Sequence, residues 1–339
     1  TILIVQSSLL CDISSQYTRE MLLSKTVLDG IIEFPKKAET SQGQVFGSVL
    51  QGTCIASFKK IMPQEDAEFF ISIDNDRTSI NSLIKEKINQ QKLIQIYSHG
   101  FFIPLIKPGE FEILRKLSNR PSLKQFIEFT KQGDLNLSTN KKLIVNYKTD
   151  IRFYRGKNVH RYIFDNKTKE YMDVELDKKH RDAFASLSEY NKKVNDLILM
   201  QQITGTTDKY RLHGCLFSKE KCLFGHSVRI IKPSKNANSK FLLALINSRI
   251  LDWFFRKTST NNNVNGYELE ELPVIERKDE QVIKLIDQIL SITKEKYYFE
   301  NPNKQINVKN LEMAIDQVIY NLYGLSPKEI KLIEESYGH

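Results

Sequence analysis

The segment IRFYRGKNVHRY, residues 151–162, gathers side chains suited to holding a polyanion. Arg152, Arg155, Lys157, His160 and Arg161 interleave there with Phe153, Tyr154 and Tyr162, and Gly156 permits a tight turn. An arginine can fork onto the O6 and N7 acceptors of guanine, an asparagine such as Asn158 onto adenine, and a lysine onto a phosphate. The same composition also describes a basic, solvated turn. A second cluster, His213, Cys215, Cys222 and His226, has the inventory of a tetrahedral zinc site. Its spacing is not that of a short C-x-x-C knuckle, so these residues are predicted to pack in the core of a two-stranded hairpin. Ser8, Cys11 and Cys54 could serve as nucleophiles, but no activating base stands near them in sequence, and buried cysteine is usually inert. Phosphate-binding and dinucleotide-binding glycine loops, H-E-x-x-H and G-x-S-x-G are all absent, and no paired carboxylates stand out for acid–base work.

The charge distribution points the same way as the basic segment. Net charge is +9, and residues 141–232 hold 20 Lys and Arg against 11 Asp and Glu, while the rest of the chain is balanced at 30 against 30. A localised basic surface is the footprint of a nucleic-acid or anionic-membrane partner, although a lysine-rich surface drawn from an AT-rich genome would look similar. No run of 18 apolar residues exists, which excludes a spanning helix. The first ten residues lack a basic flank, so no signal peptide is predicted. Four scattered cysteines point to a reducing compartment, the cytoplasm, rather than to a disulfide framework.

The elements that must position these residues follow from hydrophobic periodicity. Strands are predicted at 2–5, 27–34, 54–58 and 69–73, with a helix over 14–23 and a polar loop over 35–52. The run at 2–5 is apolar at every position, the mark of a central strand covered on both faces. A helix is predicted over 79–91, a linker-like break at 104–108, and a helix over 110–117. Short apolar runs at 143–147, 197–203 and 228–231, interrupted by a helix near 181–192, describe an irregular, mainly β region. An apolar helix over 241–255, with an Asn-Ser kink, leads into an asparagine-rich loop. Helices with charged outer faces follow at 280–298, 308–322 and 327–336, the last starting with Ser326 as N-cap, Pro327 at N1 and Glu329 in the first turn.

Taken together, several segments resemble the C-terminal part of the TaqI-like adenine-specific DNA methyltransferases, including the fused type II restriction–modification enzymes. ILIVQSSLLCDISSQYTREMLLSKTVLDGIIEFP, residues 2–35, resembles the stretch after the family's catalytic motif, and VFGSVLQGTCIASFKK, residues 45–60, its following loop and last strand. FYRGKNVHRY resembles the recurrent turn of the specificity domain. FLLALINSRILDWFFRK, residues 241–257, resembles its "LLNS" helix with Asn247 and Ser248 at the signature pair, and YELEELPV, residues 267–274, the segment that follows. LYGLSPKE, residues 322–329, resembles a common ending of these enzymes. The glycine loop that seats S-adenosylmethionine and the [N/D]-P-P-[Y/F] motif are not in this sequence; Asn301-Pro302-Asn303 lacks the second proline and the aromatic. These parts would precede Thr1.

The resemblance implies an α/β plus α+β fold in three parts. Residues 1–108 would be the C-terminal strands of a Rossmann-like methyltransferase sheet, 109–235 a mainly β target-recognition domain, and 236–339 a helical C-terminal region. It implies sequence-specific recognition of double-stranded DNA by the specificity portion of a restriction–modification adenine methyltransferase. A stand-alone specificity subunit binding partner methyltransferase or nuclease subunits is the alternative. No cofactor is expected in this chain; S-adenosylmethionine is expected for the full-length enzyme, and the missing N-terminal half or a partner subunit as a binding partner. Phe46 would stack on an adenine flipped out of the duplex, or else plug the core end of its loop. Lys36 and Lys37 would join Arg152, Arg155, Lys157, Asn158 and Arg161 in contacting DNA.

Overall fold

The computed structural model describes residues 1–34, 52–74, 82–173, 197–205, 208–217, 222–259 and 262–338. Lys36, Lys37 and Phe46 lie outside the described residues, as does the helix expected near 181–192. The chain is mixed α/β and divides into two units: Thr1–Asn119, Trp253–Asn261 and Leu325–His339 form one, and Arg120–Asp252 with Asn262–Gly324 the other. The helical region expected over 236–339 is thus distributed over both.

The first unit is built on strands β1 (Ile2–Gln6), β2 (Val27–Phe34), β3 (Thr53–Lys59), β4 (Glu68–Ile73) and β5 (Glu86–Asn89), in the order β1-β3-β2-β4-β5. β2 runs parallel to β4, and the remaining neighbours are antiparallel. In β2 consecutive residues from Gly30 to Glu33 are buried, so both faces of the strand are covered, with Leu28 and Ile31 fully buried. Gly30 sits against the ring of Phe70, where a Cβ would come within 2.2 Å of a ring carbon, so a larger residue would require that ring to move. Arg19 is fully buried and donates to the carbonyls of Gly100, Leu9 and Asp12, tying the helix Gln16–Lys25 to two neighbouring segments.

The strand at 2–5 forms with the apolar run of a central strand, and among the described strands it stands at the edge of the sheet, with Ile2 69% and Ile4 58% exposed. Two expectations need correction here. The predicted helix over 79–91 is in its described part the strand β5, followed by a helix over Gln90–Ile96. Asn89 marks the switch, because its side chain accepts from the backbone of Lys92 as an N-cap. Residues 104–108 are not a linker: Ile103 and Ile106 are buried, the N–H of Ile103 donates to Leu10, and that of Leu105 to Lys257.

The second unit holds β6 (Ile127–Gln132), β7 (Ile144–Val145), β8 (Ile151–Tyr154), β9 (Val159–His160), β10 (Ile163–Phe164), β11 (Tyr171–Met172), β12 (Leu197–Gln201), β13 (Gly214–Phe217), β14 (Cys222–Phe224) and β15 (Val228–Pro233). Among the described residues these strands make two four-stranded sheets, β13-β12-β15-β6 and β14-β8-β11-β7, and the small pair β10-β9. An apolar cluster including Tyr154, Leu199, Phe217, Phe224 and Val228 draws residues from both larger sheets. The hairpin expected for Cys215 and Cys222 does not form: β13 pairs with β12 and β14 with β8, so the two thiols sit on different sheets and meet only in this cluster. Among the described residues no group of His, Cys, Asp and Glu is arranged to hold a metal ion, and no helix is long and apolar enough to cross a membrane.

The apolar stretch 241–255 forms two helices, Ser239–Ile246 and Arg249–Thr258, broken at Asn247-Ser248. Helices Glu280–Thr293 and Pro302–Leu322 complete the second unit. Asn301 caps the latter with Pro302 at its start, which is the work those residues do in place of any catalytic motif. In the first unit the helix Pro327–Glu335 opens with a capping box between Ser326 and Glu329, as its sequence implies.

Candidate nucleic-acid interface

The basic segment folds as β8, a single tight turn over Gly156–Asn158, and β9. Gly156 is required by close approach: a Cβ there would lie 2.6 Å from the carbonyl oxygen of Ser227, whose hydroxyl accepts the N–H of Gly156 at 2.9 Å. Asn158 is 4% exposed. Its Oδ1 accepts the N–H of Arg155 at 3.0 Å, and its Nδ2 donates to the carbonyls of Asp165 and Lys167 at 3.1 and 3.2 Å. All of its amide is therefore committed to holding the turn against the following loop.

The cations separate into two groups. Arg161 points inward, where its Nε and Nη2 donate to Glu312 Oε1 at 2.9 and 2.7 Å, Nη2 also to the carbonyl of Asn247, and Nη1 to that of Leu212. Its guanidinium lies over the ring of Tyr210, 4.1 Å from the centroid. Burial opposes its charge, but Glu312 and the two neighbouring tyrosines more than offset that and keep it protonated. Tyr162 follows with φ +64°, the left-handed region that a bulky residue seldom adopts, and its N–H donates to the carbonyl of Gly214. Arg155 is partly exposed and paired with Glu170 at 2.5 Å. Arg152 and Lys157, in contrast, are exposed and face an open groove of about 710 Å³ together with Lys167, Lys169, Glu170 and Tyr171.

Lys167, Lys169 and Tyr171 were not singled out from sequence. The signal available was K-x-K-x-Y, the alternation of a segment that returns along β8, and β11 does place Tyr171 opposite Arg152. The nucleophile candidates gain no activation from the fold. Cys54 is buried, and burial followed by the charge of Glu33 pushes its thiol up to about 12. Cys11 is also buried, with its Sγ against the carbonyl of Ile103. His213 uses Nε2 on the carbonyl of Tyr210, and burial lowers its affinity for a second proton.

The Asn247-Ser248 break has a definite function in the architecture. Asn247 Oδ1 accepts the N–H of Gly214 at 2.8 Å and its Nδ2 donates to the carbonyl of the same residue at 2.9 Å, so the amide pairs with β13 as a strand would. The hydroxyl of Ser248 takes the carbonyl of Leu245 at 2.6 Å. Because Gly214 also receives the N–H of Tyr162, one glycine joins the basic turn, the sheet and the helix break.

This combination has a match among known families. Residues 151–274 match the family model of the TaqI-like C-terminal specificity domain. Its span contains the basic turn, the Asn-Ser helix break and the segment 267–274, which were the three parts of the sequence expected to belong to such a domain. Among solved structures the chain is similar to the type IIL restriction–modification enzyme MmeI, solved in complex with DNA, with a TM-score of 0.55 at 11% identity over 99% of this chain. It spans 49% of that enzyme's length. A lower similarity, TM-score 0.40 at 10% identity over 95% of this chain and 47% of the other, is found to the type IIG restriction endonuclease BpuSI. Comparison with curated proteins finds no match.

Proposed function

We propose that this chain recognises duplex DNA sequence-specifically, as the specificity portion of a restriction–modification adenine DNA methyltransferase. One observation carries the reading: the specificity domain at 151–274 overlaps the segment that holds the entire excess of positive charge. The exposed cations of the groove provide the electrostatic attraction, and the buried turn provides a rigid mount. Methyl transfer, and the S-adenosylmethionine it consumes, belong on this reading to a methyltransferase half outside these residues, with Phe46 stacking on the flipped adenine. The outer edge of β1 supports a partner there. Among the described strands β1 has a neighbour on one side only, and its Ile2 and Ile4 are exposed, an arrangement that invites another strand. A stand-alone specificity subunit would have no use for such an edge.

The purified chain is expected to bind duplex DNA with a steep salt dependence, each neutralised phosphate contributing about −0.9 to the slope of log K against log salt. Calorimetry is expected to show no saturable uptake of S-adenosylmethionine. Tight cofactor binding, or duplex affinity indifferent to salt, would overturn the assignment. Co-expressed with a methyltransferase half, the chain is expected to co-purify, to slow hydrogen exchange at residues 2–5 and to support transfer to adenine. Two pieces that ignore each other would remove this reading of the first 58 residues.

A further inference from the structure

We infer that the groove lined by Arg152, Lys157, Lys167 and Lys169 seats the phosphate backbone of one strand of the duplex, with Lys167 and Lys169 as its principal cations. The inference rests on the duplex-recognition reading and deepens it, because it separates the residues that hold the backbone from those that hold the fold.

The loop carrying the two lysines is fixed to the basic turn. Asn158 Nδ2 holds the carbonyls of Asp165 and Lys167. Thr168 Oγ1 donates to the carbonyl of Phe153 at 3.0 Å and accepts the N–H of Glu170 at 3.0 Å. Lys167 and Lys169 therefore project from a backbone tied on both sides, with Thr168 between them turned onto β8. Across the ladder Arg152 stands opposite Tyr171, which brings the cations of β8 and of the returning loop to one concave surface.

The ionic partners distinguish these cations from the rest of the motif. Lys157, Lys167 and Lys169 are exposed, and among the described residues none of them forms an ion pair. Glu170, the acid in the groove, is neutralised by Arg155. Lys157, Lys167 and Lys169 thus give the groove positive charges that can meet phosphates without breaking an existing ion pair. Arg155, by contrast, would have to leave Glu170 to reach a base, and Arg161 is spent on Glu312. Asn166 and Tyr171 line the same groove and offer neutral donors to phosphate oxygens.

The test compares three forms of the whole chain on one mixed-sequence duplex: wild type, the pair Lys167→Ala and Lys169→Ala, and the pair Lys141→Ala and Lys142→Ala. The last two lysines are exposed and lie outside the groove, so both variants lose the same charge. Affinity is measured over roughly 50–200 mM salt, where phosphate contacts show as slope. The groove variant is expected to lose about 2 from the magnitude of that slope, one for each phosphate released, with the control retaining the wild-type slope. Equal slopes for the two variants would overturn the groove while leaving duplex recognition in place. A wild-type chain without salt-dependent duplex binding would overturn the duplex reading itself. Thermal denaturation of the three forms is expected to coincide, since the substituted side chains are exposed and form no ion pair among the described residues.

Discussion

Replacing Lys257 with methionine is expected to destabilise the first unit by about 3–5 kcal/mol, the range found when one member of a buried ion pair is removed. Lys257 Nζ lies 2.7 Å from Glu110 Oε2, and the side chains are 10% and 1% exposed. The same carboxylate accepts the N–H of Lys107 at 2.6 Å and Trp253 Nε1 at 3.3 Å, and the ammonium also sits over the Trp253 ring. Burial lowers the ammonium's affinity for its proton while Glu110 works to raise it, so the charge persists only because the pair is intact. Methionine keeps most of the packing volume and leaves Glu110 without its counter-ion. The cost then comes from stranded charge rather than from a cavity. Trp253 is the sole tryptophan and is 1% exposed beside the pair, so its fluorescence in a urea titration reports this unit directly. Adding Glu110→Gln to Lys257→Met is expected to recover part of the loss, since coupled neighbours do not add. A loss below about 1 kcal/mol for the single variant, or strictly additive losses, would show that the pair is solvated.

Legibility of the sequence varied with how local the deciding interaction was. β2 was found end to end, because the apolar pairs Val27-Leu28 and Ile31-Ile32, with Phe34, fall in one short stretch that Pro35 ends. The Ser326-Pro327-Lys328-Glu329 start was equally plain, since every partner of a capping box lies within four residues. β5 was missed because the register that makes Ile88 a buried strand residue is supplied by β4, not by its own neighbours. The cysteines were assigned to a hairpin on their proximity in sequence, yet β14 pairs in parallel with β8 from 70 residues earlier. In the interface, the residue types of the turn were legible, but which cations remain available was not. That depends on Glu170 across one strand pair and on Glu312, which is 151 residues from its partner in sequence.

Arg161→Ala is expected to destabilise the second unit by about 3–5 kcal/mol and, on the duplex-recognition reading, to leave the base preferred at every position unchanged. The substitution strands Glu312, whose side chain is 18% exposed, and removes donors from the carbonyls of Leu212 and Asn247. Arg161→Lys is expected to recover little, because one ammonium cannot reproduce the planar fork that reaches an acid and two carbonyls. Glu312→Gln should shift the denaturation midpoint in the same direction. The neighbouring Asp316 adds a pH signature. Its Oδ1 accepts the N–H of Arg249 at 2.9 Å and its Oδ2 lies 3.4 Å from the Arg249 guanidinium, but burial dominates and pushes the carboxyl up to about 7. In the unfolded chain it titrates near its ordinary value, 3.8. Between those values the folded protein binds more protons than the unfolded one, so the stability this group contributes is full at the acid end and is lost as pH rises towards 7. The gap in midpoint between wild type and Asp316→Asn should therefore move against wild type from pH 5 to pH 7.5 and level off above. A constant gap would mean that Asp316 stays ionised beside Arg249 throughout. An unchanged midpoint for Arg161→Ala, with affinity lost at a single base position, would return Arg161 to the DNA surface.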